Sequence, residues 1–332
     1  MMFTEKIVHQ LSGLSGAEEM SESIAPFHGV VPPIVTPFNE DFSIDTDSLR
    51  AQVERMIKAG IHGLFALGSS AEVAFLTREN RQIVLDTIID QNAGRLPVAA
   101  GVIDMTTPRC LEHVADARER GVDALVATAP FYVRTHANEI EEHFRQLHAA
   151  APDLKLFAYN LPVSVNVVLE IPMLIRLAQE GVLAGIKDSG GKDDYTRAVV
   201  AARKTAQLEN FVVLTGSEMT VDYAYLGGCD GVVPGLGNVD PYAYVQLHET
   251  CRAKNWEQAV EIQERINKLM AVAFVGDGSR MGGSAAGLGG FKSALHHLGI
   301  FASPRMAPTH MPLNDDEHAR VAAIVDEFSH GV

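Results

Sequence analysis

From His28 onward, short runs of apolar and β-branched residues alternate with segments of helical spacing. The runs are GVVPPIVTP (29–37), GLFALG (63–68), PVAAGV (97–102), ALVATAP (124–130), LKLFAYN (154–160), LAGIKDS (183–189), FVVLTGS (211–217) and DGVVPGLG (230–237). In residues 77–92, Ile83, Val84 and Ile88 separate from the flanking charges, as on a surface helix. Asp45, Thr77 and Asp193 are expected as helix N-caps, with Gly60, Gly94 and Gly121 near C-termini. Runs that are apolar on both faces, each followed by a helix, imply parallel strands joined by crossovers. Eight such units suggest an α/β fold of the TIM (β/α)8 barrel type. A doubly wound sheet fits the same alternation. Segments 241–275, 287–299 and 315–329 read as helices beyond the eighth unit. The expected division is an N-terminal extension (1–27), a barrel (28–240), and the last barrel helix with a C-terminal helical appendage (241–332).

Composition narrows the class without choosing a substrate. A net charge of -15 over 332 residues argues against a nucleic-acid or anionic-membrane surface. Three cysteines without CxxC spacing fit reduced thiols in a cytoplasmic protein. The first twenty residues hold no continuous apolar stretch of the signal-peptide kind. No apolar run approaches the ~18 residues of a membrane helix. The thirteen histidines show no HExxH spacing, so no metal or other cofactor is expected. The stretch GDGSRMGGSAAGLGG (276–290) lacks the GK[ST] ending of a phosphate loop and reads as a flexible inter-helix loop.

In a barrel, working residues lie at the C-terminal ends of the strands. Lys187 ends the run LAGIK and is expected inside the barrel mouth. Burial disfavours an ammonium and so favours the neutral amine that attacks a carbonyl. The competing reading pairs Lys187 with Asp188 or Glu72, or lets it reach solvent. Lys155 opens its strand and belongs to the opposite rim. Tyr159 ends the fifth run, where a phenol can carry protons or simply plug the barrel. Ser69 and Ser70 follow the second run, in a small-residue turn of the kind that holds anions.

GSSAE (68–72), APFY (129–132), YNLP (159–162) and GIKDS (185–189), in this order, resemble the dihydrodipicolinate synthase/N-acetylneuraminate lyase family. The resemblance runs from about Gly29 to Ile300. It implies a barrel in which Lys187 forms an imine with pyruvate or another 2-oxo acid. By the same resemblance Tyr159 and Ser69 relay protons, and Ser70 binds the pyruvate carboxylate. The Val233 carbonyl approaches the imine. Tyr132 is the tyrosine passed into a neighbouring subunit, which implies a homotetramer.

Two segments bear on the substrate. The family's synthases carry an arginine after the YNxP motif; here YNLPVSVN has none, and a serine cannot replace a bidentate guanidinium. Ala71 stands where the family usually has glycine. TGSEM (215–219) looks like a loop that holds polyhydroxylated chains, although Glu218 also reads as a helix N-terminal acid. A sugar-acid lyase is therefore expected, with Ser164, Ser189 and Glu218 near the hydroxylated tail. N-acetylneuraminate stands slightly ahead of 2-keto-3-deoxygluconate-type acids, and dihydrodipicolinate synthesis comes third. A Schiff-base dehydratase and a non-catalytic sugar-acid-binding module are the readings from other classes.

Overall fold

The structure is a computed structural model, which describes residues 27–329. Eight parallel strands form one sheet: β1 (Gly29–Val30), β2 (Leu64–Ala66), β3 (Val98–Gly101), β4 (Ala124–Ala127), β5 (Lys155–Asn160), β6 (Gly185–Asp188), β7 (Val212–Thr215) and β8 (Gly231–Val232). Their order is β1-β8-β7-β6-β5-β4-β3-β2. Pro33 bridges Phe65 in parallel, and the Ile34 N–H donates to the Phe65 carbonyl at 2.9 Å, which closes the ring between β1 and β2. Each strand is shorter than its apolar run. Pro32 and Pro33 have no N–H to give, so regular pairing of the first run stops early. The remainder of each run continues past its strand as mouth loop.

Alternation along the strands divides the apolar residues into two cores. The smaller, inside the barrel, gathers Phe65, Val126, Phe157, Tyr159, Leu214 and Val233 among others. The larger lies between strands and helices and takes the alternate strand residues, such as Leu125, Ala158, Ile186 and Val213. Phe27 belongs to the inner core and meets Phe157 edge-on at 5.8 Å. Phe27, the last residue of the expected extension, is thus packed into the core; residues 1–26 lie outside the described residues.

Local capping follows side-chain chemistry at two of the three expected positions. Asp45 accepts from the Ser48 N–H at 3.0 Å and Thr77 from the Asn80 N–H at 3.2 Å. Asp193 does not cap: Lys192 holds that position, and Asp193 and Asp194 occupy the first turn, where the helix dipole favours acids. In the helix Arg78–Asn92, Val84 and Ile88 are buried while Ile83 faces outward.

The C-terminal appendage departs from expectation in two places. Residues 241–275 are not one helix: Pro241–Arg252 and Trp256–Leu269 are separated at Lys254, whose φ is 59°, and Asn255 caps the second. Residues 276–290 are not wholly a loop either. Helix Gly283–His297 begins inside that stretch. Its small residues serve close packing, because a Cβ at Gly290 would be driven into the Val272 carbonyl. A last helix, Asp315–Phe328, starts with a capping box between Asn314 and Glu317. Among the described residues, no helix is long and apolar enough to cross a membrane.

Two glycines of one helix should respond oppositely. Gly290→Ala is expected to lose about 1–3 kcal/mol by overpacking. Gly287→Ala meets no atom closer than 3.9 Å and should gain up to about 1 kcal/mol of helix propensity. Urea denaturation midpoints of the two variants against the parent check this.

Candidate active site

Tyr159 and Lys187 are register partners across β5 and β6, and both point into the barrel. Both are buried, at 2% and 4% exposure. The Lys187 ammonium nitrogen lies 4.0 Å from the Tyr159 ring centroid and 4.8 Å from that of Phe65. Among the described residues, no carboxylate lies within ion-pair distance of it. Both partners considered from sequence are engaged elsewhere. Asp188, next along the strand, points to the opposite face and accepts from Asn160 Nδ2 at 2.8 Å, from the Gly190 N–H at 3.0 Å and from the Thr196 hydroxyl. Glu72 is ion-paired to Lys292 and bonded to His310. Lys155 is exposed at the opposite rim.

The Tyr159 hydroxyl lies 3.0 Å from Ser69 Oγ. Burial works to raise the phenol's pKa, but the Lys187 charge, with Ser69, Lys187 and Ser189 as hydrogen-bonding neighbours, holds it below its ordinary value. A phenol so placed gives up its proton more readily than one in water. Lys187, Tyr159, Ser69 and Ser189 are thus brought together. Val233 packs in the same inner core, its N–H donating to the Thr215 carbonyl at 2.8 Å.

A cavity of about 490 Å³ opens beside this group, and Ser69, Ser70 and Ser164 line it. Thr128, at the end of β4, lines it as well; its hydroxyl is buried and has no hydrogen-bond partner among the described residues. Its place directly after an apolar strand run is the sequence signal that marks it, next to the APFY motif. Among the described residues, no lysine or arginine lines the cavity. Tyr132 is 92% exposed with φ 74°, whereas Tyr159 is buried inside the barrel. Among the described residues, no group of three or more histidines, cysteines or acids converges as a metal site.

Glu218 stands apart from the expectation. It precedes the N-cap Thr220 and turns away from the following helix, so it is not a first-turn acid. Its carboxylate accepts from the Leu236 N–H at 2.7 Å and the Tyr244 hydroxyl at 3.1 Å, tying the loop after β7 to the loop after β8. Burial pushes its pKa from 4.5 up to about 7 against those hydrogen bonds.

The model of the dihydrodipicolinate synthetase family matches residues 26–328. An uncharacterised DapA-like lyase of Halobacterium salinarum is 32% identical over 296 residues, covering 89% of this chain and 92% of its own length. The dihydrodipicolinate synthase of Bacteroides thetaiotaomicron superposes with a TM-score of 0.85 at 29% identity, over 91% of this chain and 99% of that one. YagE, a prophage protein of E. coli K12 solved in complex with pyruvate, gives 0.84 at 25% identity, over 91% and 98%.

The Glu218 brace carries a pH signature. Between pH 4.5 and about 7 the folded chain keeps a proton that the unfolded chain has lost, so this group's contribution to stability falls as pH rises. Glu218→Gln keeps the acceptor for Leu236 and removes the titration. Its stability should therefore fall less than the parent's between pH 4.5 and 7 in parallel denaturation series. Identical slopes would show that Glu218 does not titrate there.

Proposed function

Since this chain belongs to the dihydrodipicolinate synthetase family, whose members are lyases that form a Schiff base with pyruvate, we propose that Lys187 carries the imine. The observation that supports it best is a buried lysine free of carboxylates, set in register beside a tyrosine that touches Ser69. In the cleavage direction the amine attacks the C2 carbonyl of a 4-hydroxy-2-oxo acid, and water leaves. The protonated imine draws electrons from the C3–C4 bond as the 4-hydroxyl loses its proton, releasing an aldehyde and leaving an enamine. Protonation at C3 and hydrolysis then return pyruvate and free Lys187. Tyr159, through Ser69, moves these protons, and Ser70 holds the carboxylate. Val233 supplies a carbonyl near the imine. Pyruvate bound in YagE supports this reading of the ligand.

The aldehyde half belongs to a 2-oxo-3-deoxy sugar acid. Ser164, Thr128 and Ser284 are hydroxyl-bearing residues of the cavity lining, and among the described residues no lysine or arginine lines it to clamp a second carboxylate. Glu218 is spoken for by Leu236 and Tyr244. With fewer groups left for a long tail, a short acid of the 2-keto-3-deoxygluconate type moves ahead of N-acetylneuraminate. Ser189 stays near the imine. The enzyme works in the cytoplasm as a homotetramer in which Tyr132, exposed and held at positive φ, enters a neighbour's relay.

Pyruvate with borohydride should leave a reduced adduct on the Lys187 peptide, and Lys187→Ala should abolish adduct and turnover. An adduct confined to another lysine would refute the assignment. Tyr159→Phe should cost on the order of 10²–10⁴ in kcat with less change in binding.

Substrate choice is read from kcat/KM measured side by side. A 2-keto-3-deoxy sugar acid should exceed N-acetylneuraminate, and both should exceed condensation with aspartate semialdehyde. A faster synthase reaction would mean that another group holds that carboxylate.

A further inference from the structure

We propose that Glu72, Lys292 and His310 form a brace through which the C-terminal appendage positions the Ser69 and Ser70 turn for carboxylate binding, a role that rests on the pyruvate reading above. None of the three touches the reacting atoms. They are positioning residues.

After β2 the chain makes two successive 3-10 turns, Ser69–Ala71 and Val73–Phe75. Glu72 joins them at φ 55° and ψ 33°, a left-handed conformation disfavoured for a residue with a Cβ. Its side chain is wholly buried, and the partners of its carboxylate come from the C-terminal part of the chain. One oxygen accepts from the Ala307 N–H at 2.8 Å and faces His310 Nδ1 at 2.9 Å. The other pairs with Lys292, which is equally buried. Lys292 comes from helix Gly283–His297, donates to the Arg305 carbonyl at 2.9 Å and lies 4.4 Å from the centre of the Phe38 ring. The His310 ring packs on Phe75 at 4.3 Å, so it grips both ends of the second turn.

A lone charge at this depth is expensive, and a pair missing one member leaves its partner uncompensated. The cluster therefore holds together or rearranges as a unit. Burial works to raise the Glu72 pKa, but His310 and Lys292 hold it below the ordinary carboxylate value. Glu72 and His310 line the same cavity as Ser69 and Ser70. A shift of the cluster moves the turn that faces the substrate while leaving Lys187 and Tyr159 on their strands. Because Ser69 also touches Tyr159, the proton relay slows as well, but Lys187 can still form its adduct, so the separation predicts weaker pyruvate saturation with the final adduct retained.

His310 is the member nearest solvent, at 14% side-chain exposure, so its variants keep the deep ion pair. His310→Asn retains a donor at the Nδ1 position; His310→Leu does not. In borohydride trapping, His310→Leu should raise the half-saturating pyruvate concentration ~10-fold, the scale of one hydrogen bond to a charged group, with the final adduct on Lys187 unchanged. His310→Asn should stay within about threefold of the parent. Parental saturation in His310→Leu, or equal impairment in both variants, overturns the brace. If the parent itself forms no adduct, the pyruvate reading fails, and amide hydrogen exchange of residues 69–75 judges the brace alone. Faster exchange in His310→Leu but not in His310→Asn supports it, and equal exchange rejects it.

Discussion

In a parallel ladder, residues paired across neighbouring strands point to the same face, and β5 and β6 pair Tyr159 with Lys187. One residue of slip would send the lysine into the packed layer between strand and helix, where Ile186 and Ala158 now sit. The register is protected from below. Gly185 precedes Lys187 on the inward face, and a Cβ there would strike the Phe157 ring and the Val212 carbonyl. Phe157 in turn rests against Phe27. A stack of aromatic rings and one glycine thus sets how high the lysine stands in the barrel.

The mouth then has to keep acids away from that lysine, because attraction between charges strengthens as water is excluded. Three carboxylates lie close in sequence or space, and each is handled differently. Asp188 is turned outward by alternation along its strand. Glu72 is neutralised by Lys292 from the appendage. Glu218, half-buried, is held among hydrogen-bond donors, with its pKa raised to about 7. The appendage is thereby part of the active-site architecture, although its residues come from the far end of the chain.

Much of this is legible in the sequence. The eight runs mark the eight strands, since a strand buried on both faces must be apolar throughout. Lys187 and Tyr159 announce themselves by closing such runs. Asp45 and Thr77 show as caps because capping is local chemistry. Other features misled for equally physical reasons. Asp193 sits one residue inside its helix, where an acid is just as favourable as at the cap. The glycines of 276–290 suggested flexibility, yet Gly290 sits where the Val272 backbone comes too near for a side chain, and Gly276 where Met281 and Ala286 crowd it.

What the sequence by itself determined is the order of strands and helices, the residues on each inward face and the lysine at a strand end, because periods of 2 and 3.6 are written in adjacent residues. What only the tertiary structure decided is which charges meet. Glu72 lies 238 positions before His310 and nearly as far before Lys292, with no local pattern to join them, and Glu218 is seen to be a brace only with Leu236 and Tyr244 beside it. Ion pairs and buried hydrogen bonds depend on distance and exclusion of water. Both are properties of the closed barrel and its appendage, not of the chain before it folds.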